Sequence, residues 1–190
     1  MKKLLIGAVL STVVALPALA DLQPGAAAPD FKAPASFNGK TLQFSLSETL
    51  KKGPVVVYFY PGAYTNGCNL QAHTFAVNYD KFAAAGATVV GVSLDNIERL
   101  NEFSADPEFC AGKFATVSDA DGKIAKAYDL DVAIREGAKD SKGRAIDHGF
   151  AERSTFIVTP DSKVVMTIAN VAPVANVEQA LQAVQGLAKK

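Results

Sequence analysis

Residues 54–94 read PVVVYFYPGAYTNGCNLQAHTFAVNYDKFAAAGATVVGVSL, and this stretch decides the fold. Pro54 to Tyr60 is an unbroken run of β-branched and aromatic residues, the composition of a strand covered on both faces. The segment from about Thr65 carries apolar residues at Leu70, Phe75, Val77 and Phe82 and stops at Gly86, which predicts a helix. Ala87 to Leu94 repeats the composition of a buried strand. Strand, helix and strand in this order form a βαβ unit. Its crossover is right-handed and sets the helix N-terminus at the carboxyl end of a central strand. Sites in open α/β sheets gather along that edge, and Cys68 lies on it.

Further along, NIERLNEFSAD (96–106) predicts a helix with Ile97, Leu100 and Phe103 on one face, ended by Asp106-Pro107. FATVSDADGKIAKAYDL (114–130) reads as a short strand and a short helix opening near Asp121. STFIVTPDSKVVMTIAN (154–170) is a hairpin about an Asp-Ser turn after Pro160. VANVEQALQAVQGLAKK (174–190) is an amphipathic helix that finishes in lysines, the charge favoured at a helix C-terminus. The expected architecture is an α/β sandwich around a mixed central β-sheet flanked by helices.

The chain opens with MKKLLIGAVLSTVVALPALAD: two lysines, an apolar run, then the small-x-small end Ala18-Leu19-Ala20. This pattern describes a cleavable signal peptide over residues 1–20 and one domain over 21–190, with Asp21 as the mature N-terminus. A membrane anchor is the alternative reading, but Pro17 and the lack of basic residues just beyond the run favour cleavage. The lysine-led start points to a bacterial periplasm, an oxidising compartment. Formal net charge is zero over the full chain. Without Lys2 and Lys3 it is slightly acidic, and no basic block argues for nucleic acid or a membrane surface as partner. His73 and His148 have no spaced second ligand, so the sequence makes no case for a metal or any other cofactor.

Only two cysteines are present, Cys68 and Cys110. A thiol reacts as its thiolate. The unpaired N–H groups and dipole of a helix's first turn stabilise an anion at the position of Cys68. Gly67 lets the backbone approach closely, Thr65 is placed to cap the helix or to donate its hydroxyl beside the sulfur, and Pro61 fixes the chain's exit from the strand. The same two cysteines also describe a structural staple: a Cys68–Cys110 disulfide would close a loop of 42 residues, worth roughly 4 kcal/mol on the chain-entropy estimate.

The stretch FYPGAYTNGC contains Pro61-x3-Thr65-x2-Cys68 and resembles the peroxidatic motif of the peroxiredoxins. ERSTFIV (152–158) resembles their second marker, with Arg153 beside the thiolate, and SDADGKIAKAYDL (118–130) is similar to the segment between them. The resemblance runs from about Gly25 to the C-terminal helix and is nearest to the bacterioferritin-comigratory, or Q-type, branch. It implies a thioredoxin-like sandwich and a thiol peroxidase acting on hydrogen peroxide and organic hydroperoxides. Cys68 would become a sulfenic acid, Arg153 and the amides near Gly67 and Cys68 would stabilise the anion, Thr65 would orient the peroxide and Pro61 would exclude water. The implied partners are a hydroperoxide and a thioredoxin-like or glutaredoxin-like reductant, with the enzyme a monomer or weak dimer.

The sequence also departs from the family's pattern. Asn69 replaces the threonine or serine common after the cysteine, and Gln71 stands where glutamate is frequent. Gln71 keeps an acceptor for Arg153 but removes a negative charge. His73 occupies the common resolving position, about 140° round an ideal helix from Cys68, where a helix-surface or capping role suits it best. Cys110 is then the candidate resolving cysteine, in a region where some Q-type members place theirs; a free buried thiol in a one-cysteine enzyme is the other reading. Two further functions stay open: a periplasmic thioredoxin-like disulfide oxidoreductase, which would need Cys-x-x-Cys where Gln71 stands, and a non-catalytic domain stapled by Cys68–Cys110.

Overall fold

The computed structural model describes residues 21–189. The expected leader and its boundary after Ala20 lie outside the described residues. The chain runs β1 (Lys32–Phe37), β2 (Lys40–Ser45), α1 (Leu46–Leu50), β3 (Val55–Phe59), α2 (Asn66–Ala84), β4 (Thr88–Ser93), α3 (Ile97–Ala105), β5 (Ala115–Ser118), α4 (Lys123–Ala127), β6 (Val132–Ala133), β7 (Phe150–Ala151), β8 (Ser154–Val158), β9 (Val164–Ala169) and α5 (Pro173–Leu187). Seven strands form one sheet in the order β2-β1-β5-β4-β3-β8-β9. β3, β4 and β5 are parallel, and the pairs at β1–β5, β3–β8 and β8–β9 are antiparallel. This is the mixed sheet that the strand and helix order predicts.

β3 is central and fully buried, as its composition requires. Its side chains alternate between two cores. Val55, Val57 and Phe59 pack with Phe31, Phe44, Tyr128 and Phe156 on one face. Val56, Tyr58 and Tyr60 face the other, where α2, α3 and α5 contribute Phe75, Phe82, Leu100, Phe103 and Val184. Both cysteines belong to this second core.

Two expectations for the helices change. Leu70 and Val77 point outward, at 47% and 63% exposure, while Cys68, Gln71, Ala72, Phe75, Ala76 and Phe82 are buried. The inward stripe therefore starts at the cysteine and includes a polar residue, so a purely apolar template misplaces it. The C-terminal helix ends at Leu187 with no basic residue in its last turn; Lys189 lies beyond it. The hairpin β1–β2, the helix α1 and the short pair β6–β7 form without having been expected from the sequence.

The second core depends on one missing methyl group. A Cβ at Gly91 of β4 would stand 2.8 Å from the ring of Tyr58 on the neighbouring strand. Gly91→Ala should therefore overpack the core and lower unfolding free energy by about 1–3 kcal/mol. Urea unfolding that gives the wild-type midpoint would show that the Tyr58 ring moves freely.

Candidate active site

Cys68 lies in the first turn of α2, two residues after the first helical residue Asn66, and is 1% exposed. The first four N–H groups of a helix have no intrahelical acceptor, so those of Gly67 and Cys68 are left to serve an anion at the turn. Thr65 occupies the N-cap position with extended backbone, but its side chain forms no capping bond. Its hydroxyl instead donates to the Gly62 carbonyl at 2.9 Å. This corrects the expected cap, and it ties Thr65 into the loop that leaves β3 at Pro61. Tyr64 in that loop adopts a left-handed backbone, φ 63°, and its carbonyl accepts from Ser141 N–H at 2.8 Å.

Arg153 comes from just before β8. Its Nη2 donates to Cys68 Sγ at 3.4 Å, and its Nη1 donates to Gln71 Oε1. A Cβ at Gly67 would lie 3.1 Å from Arg153 Nη2, so the glycine permits the guanidinium to sit against the helix turn.

The direction of this contact is fixed by a chain of amides. The Ile168 carbonyl can only accept, so it takes Asn176 Nδ2 at 3.2 Å and turns Asn176 Oδ1 the other way. That oxygen accepts from Gln71 Nε2 at 3.0 Å and from Thr155 Oγ1 at 2.7 Å. Gln71 Oε1 is thereby left facing Arg153. Gln71, Asn176 and Thr155 are all fully buried, and each side-chain oxygen and nitrogen in the series has one role. Asn176 and Thr155 were missed from the sequence. The available signal was an asparagine on the inward stripe of α5, where an apolar residue packs by default.

Cys110 lies in the turns between α3 and β5, fully buried. Both cysteines are free thiols. Burial, and then the charge of Asp106, push the Cys110 thiol well above its usual range, so it is held neutral. Close by, His73 uses Nδ1–H to donate to the Glu108 carbonyl at 2.9 Å, linking α2 to the loop that carries Cys110. His73 is exposed and makes no contact with Cys68 Sγ, in keeping with a helix-surface role. Pro61 is half-buried at the start of the loop. The structure thus brings Cys68, Arg153, Gln71 and Gly67 into one contact set, with Thr65 and Pro61 in the loop before it and Cys110 apart from it in the same core. Among the described residues, no group of three or more His, Cys, Asp or Glu side chains is arranged to hold a metal, and no helix is long and apolar enough to cross a membrane.

The AhpC/TSA family model matches residues 24–167. Peroxiredoxin Bcp of Xanthomonas campestris is 32% identical over 136 residues, covering 72% of this chain and 79% of that protein. Peroxiredoxin Bcp of Bacillus subtilis is 27% identical over 169 residues, covering 89% and 99%. Among solved structures, peroxidoxin BcpB of Mycobacterium tuberculosis superposes with a TM-score of 0.73 at 27% identity, covering 87% of this chain and 98% of that one. A first-turn cysteine with an arginine on its sulfur, on a thioredoxin-like sheet, is thus found in a chain that belongs to the AhpC/TSA family, in its bacterioferritin-comigratory branch, and is a thiol-dependent peroxidase.

Proposed function

We propose that the protein reduces hydrogen peroxide and organic hydroperoxides in the bacterial periplasm by a two-cysteine cycle, with Cys68 as the attacking thiolate and Cys110 as the resolving thiol. The observation that carries this reading is the 3.4 Å contact of Arg153 Nη2 with Cys68 Sγ in the first turn of α2. The thiolate attacks the terminal oxygen of the hydroperoxide. The S–O bond forms as the O–O bond breaks, and the departing alkoxide takes a proton and leaves as alcohol or water. Cys68 is left as a sulfenic acid, the first reversible step of thiol oxidation. Arg153 and the amides of Gly67 and Cys68 meet the negative charge as it passes from sulfur to the leaving oxygen. Thr65 orients the bound peroxide, and Pro61 limits the approach of water.

Resolution needs Cys110 to leave its burial. Its neutral thiol is a poor nucleophile, and a disulfide requires the two Cα atoms to come within about 7 Å. Pro107 and the turns that follow α3 supply the place to unwind. Cys110 sulfur then attacks Cys68 sulfur, the S–S bond forms and water departs. A thioredoxin-like or glutaredoxin-like dithiol takes the bridge over by exchange. The bridge is intramolecular, so a monomer or weak dimer suffices. Export is supported by the leader pattern. A mature chain starting at Asp21 would begin at an anchored residue, since the Asp21 carboxylate accepts from Ser154 Oγ at 3.0 and 3.1 Å beside Arg153.

Cys68→Ser should abolish peroxide consumption in a coupled assay while the far-ultraviolet spectrum stays that of the wild type; retained turnover would remove the assignment of Cys68. Arg153→Lys should slow Cys68 oxidation by about 10²-fold, because an ammonium cannot serve sulfur and Gln71 with one rigid fork. An unchanged rate would sink the role given to Arg153. Cys110→Ser should oxidise at the normal rate, stall as sulfenic acid and overoxidise in excess peroxide, as read by intact mass. Finding Cys110 free in fully oxidised wild-type protein would make this a one-cysteine enzyme.

A further inference from the structure

The loop that leads to Cys68 is held from behind by a buried carboxylate. Asp95, between β4 and α3, is fully buried. Its Oδ2 accepts from the Ala63 N–H and from Ser93 Oγ, both at 2.7 Å. Its Oδ1 pairs with Arg99 Nε at 3.0 Å and with His148 Nε2 at 2.9 Å. Arg99 also donates from Nη2 to the Ala63 carbonyl at 3.1 Å. Both backbone groups of Ala63 are therefore taken by side chains from the far side of the sheet edge. The same Arg99 nitrogen reaches Asp140 Oδ2 at 2.7 Å, which ties in the long 134–149 loop that carries His148.

The surroundings of His148 dictate its charge. Nδ1 lies 2.8 Å from the Gly149 carbonyl, which can only accept, so Nδ1 carries a proton. Nε2 faces Asp95 Oδ1. A proton placed on that oxygen instead would sit against the Arg99 guanidinium, and Oδ2 already accepts from Ala63 N–H. With both contacts kept, the second proton thus also belongs to the ring, and His148 meets them as an imidazolium. Its Cε1 lies 3.4 Å from where a Cβ of Gly62 would be, so the ring rests on the peptide next to Ala63.

We propose that His148 is a positioning residue for peroxide attack: as the imidazolium it completes the cage of Asp95 and braces Gly62, and so holds the segment Pro61–Thr65 in register with Cys68. The proposal rests on the reading of Cys68 as the attacking thiolate. Loss of one ring proton leaves an acceptor facing an acceptor, either at Asp95 or at the Gly149 carbonyl, and the brace opens. The groups facing the ring are Asp95 from the β4–α3 connection and Arg99 from α3, with Asp140 behind Arg99; the catalytic loop offers only backbone. Burial opposes the charge on His148, as does Arg99, but the hydrogen bond and charge of Asp95 and the Gly149 carbonyl outweigh them and raise the group above its ordinary value. The brace is therefore complete below about pH 6.5, and it is lost as pH rises through the elevated folded-state value.

The test uses the full mature chain. Nitrogen NMR of imidazole-labelled reduced protein should find both ring nitrogens of His148 protonated at pH 7, with titration above the ordinary histidine range. The rate of Cys68 oxidation by hydrogen peroxide should fall on the alkaline side in step with that titration. His148→Gln should lose the alkaline limb and oxidise about tenfold more slowly at pH 6.5. The NMR measurement needs no peroxide, so it is decided separately from the peroxidase reading, and it stands even if the variant folds poorly. A neutral His148 at pH 7, or a folded His148→Gln protein whose rate profile superposes on the wild type, would overturn the proposal.

Discussion

The active site depends on one guanidinium held between two acceptors of different kinds. Arg153 places one nitrogen on a sulfur and the other on a neutral amide oxygen. A carboxylate in the place of Gln71 would share the charge of Arg153, and the sulfur would then meet a partly neutralised partner. With glutamine, orientation and charge are separated: the amide series from Ile168 through Asn176 to Gln71 aims the arginine but does not neutralise it. Burial makes this aim strict, because any amide flip would leave a buried donor or acceptor unpaired at a cost of about 1–3 kcal/mol.

The sheet supplies what that contact cannot supply for itself. β3 and β8 are neighbours, paired from Val55–Val158 to Tyr58–Thr155, so the residue before β8 and the helix after β3 emerge at the same end. Arg153 and Cys68 are 85 residues apart in the chain, yet their separation in space is set by one antiparallel ladder and one tight loop. Thr155 serves both structures at once, since its backbone belongs to that ladder and its hydroxyl to the amide series. Local mispacking of β8 would therefore move the arginine and its aiming device together.

How much of this could be read in advance follows from which residues speak locally. The β3–α2–β4 unit, the β8–β9 hairpin and α5 were legible because strand composition, turn residues and helix stops act within a few positions. So was the place of Cys68 in the first turn of a helix, while Arg153 was expected beside it only from the family resemblance. The inward face of α2 was not, because Gln71 is polar and Leu70 and Val77 are apolar, while the tertiary site buries the first and exposes the other two. Asn176, Asp95 and His148 were silent for a related reason. Each acts through a partner that is close in space and remote in sequence: Gln71 for Asn176, Ala63 for Asp95, and Gly62 with Asp95 for His148. Thr65 shows the reverse error, a residue of the right type at the N-cap that spends its hydroxyl on Gly62.

The two thiols stand in opposite relations to the core that contains them both. Cys68 is buried, but it sits at a helix start, where its sulfur accepts from Arg153 Nη2. Cys110 is buried in the turns after α3, near the negative charge of Asp106, and its surroundings favour the neutral thiol. On the proposed cycle this asymmetry orders the steps, because a resting Cys110 cannot compete with Cys68 for oxidant. Phe103 and Phe109 stack at 5.5 Å beside it, Tyr64 meets both rings edge-on, and Phe114 shares the same core. Opening this cluster to free Cys110 also loosens Tyr64, which belongs to the loop ahead of Cys68. On that cycle, release of the resolving thiol and relaxation of the peroxide site would share one packing event, because Tyr64 belongs to both.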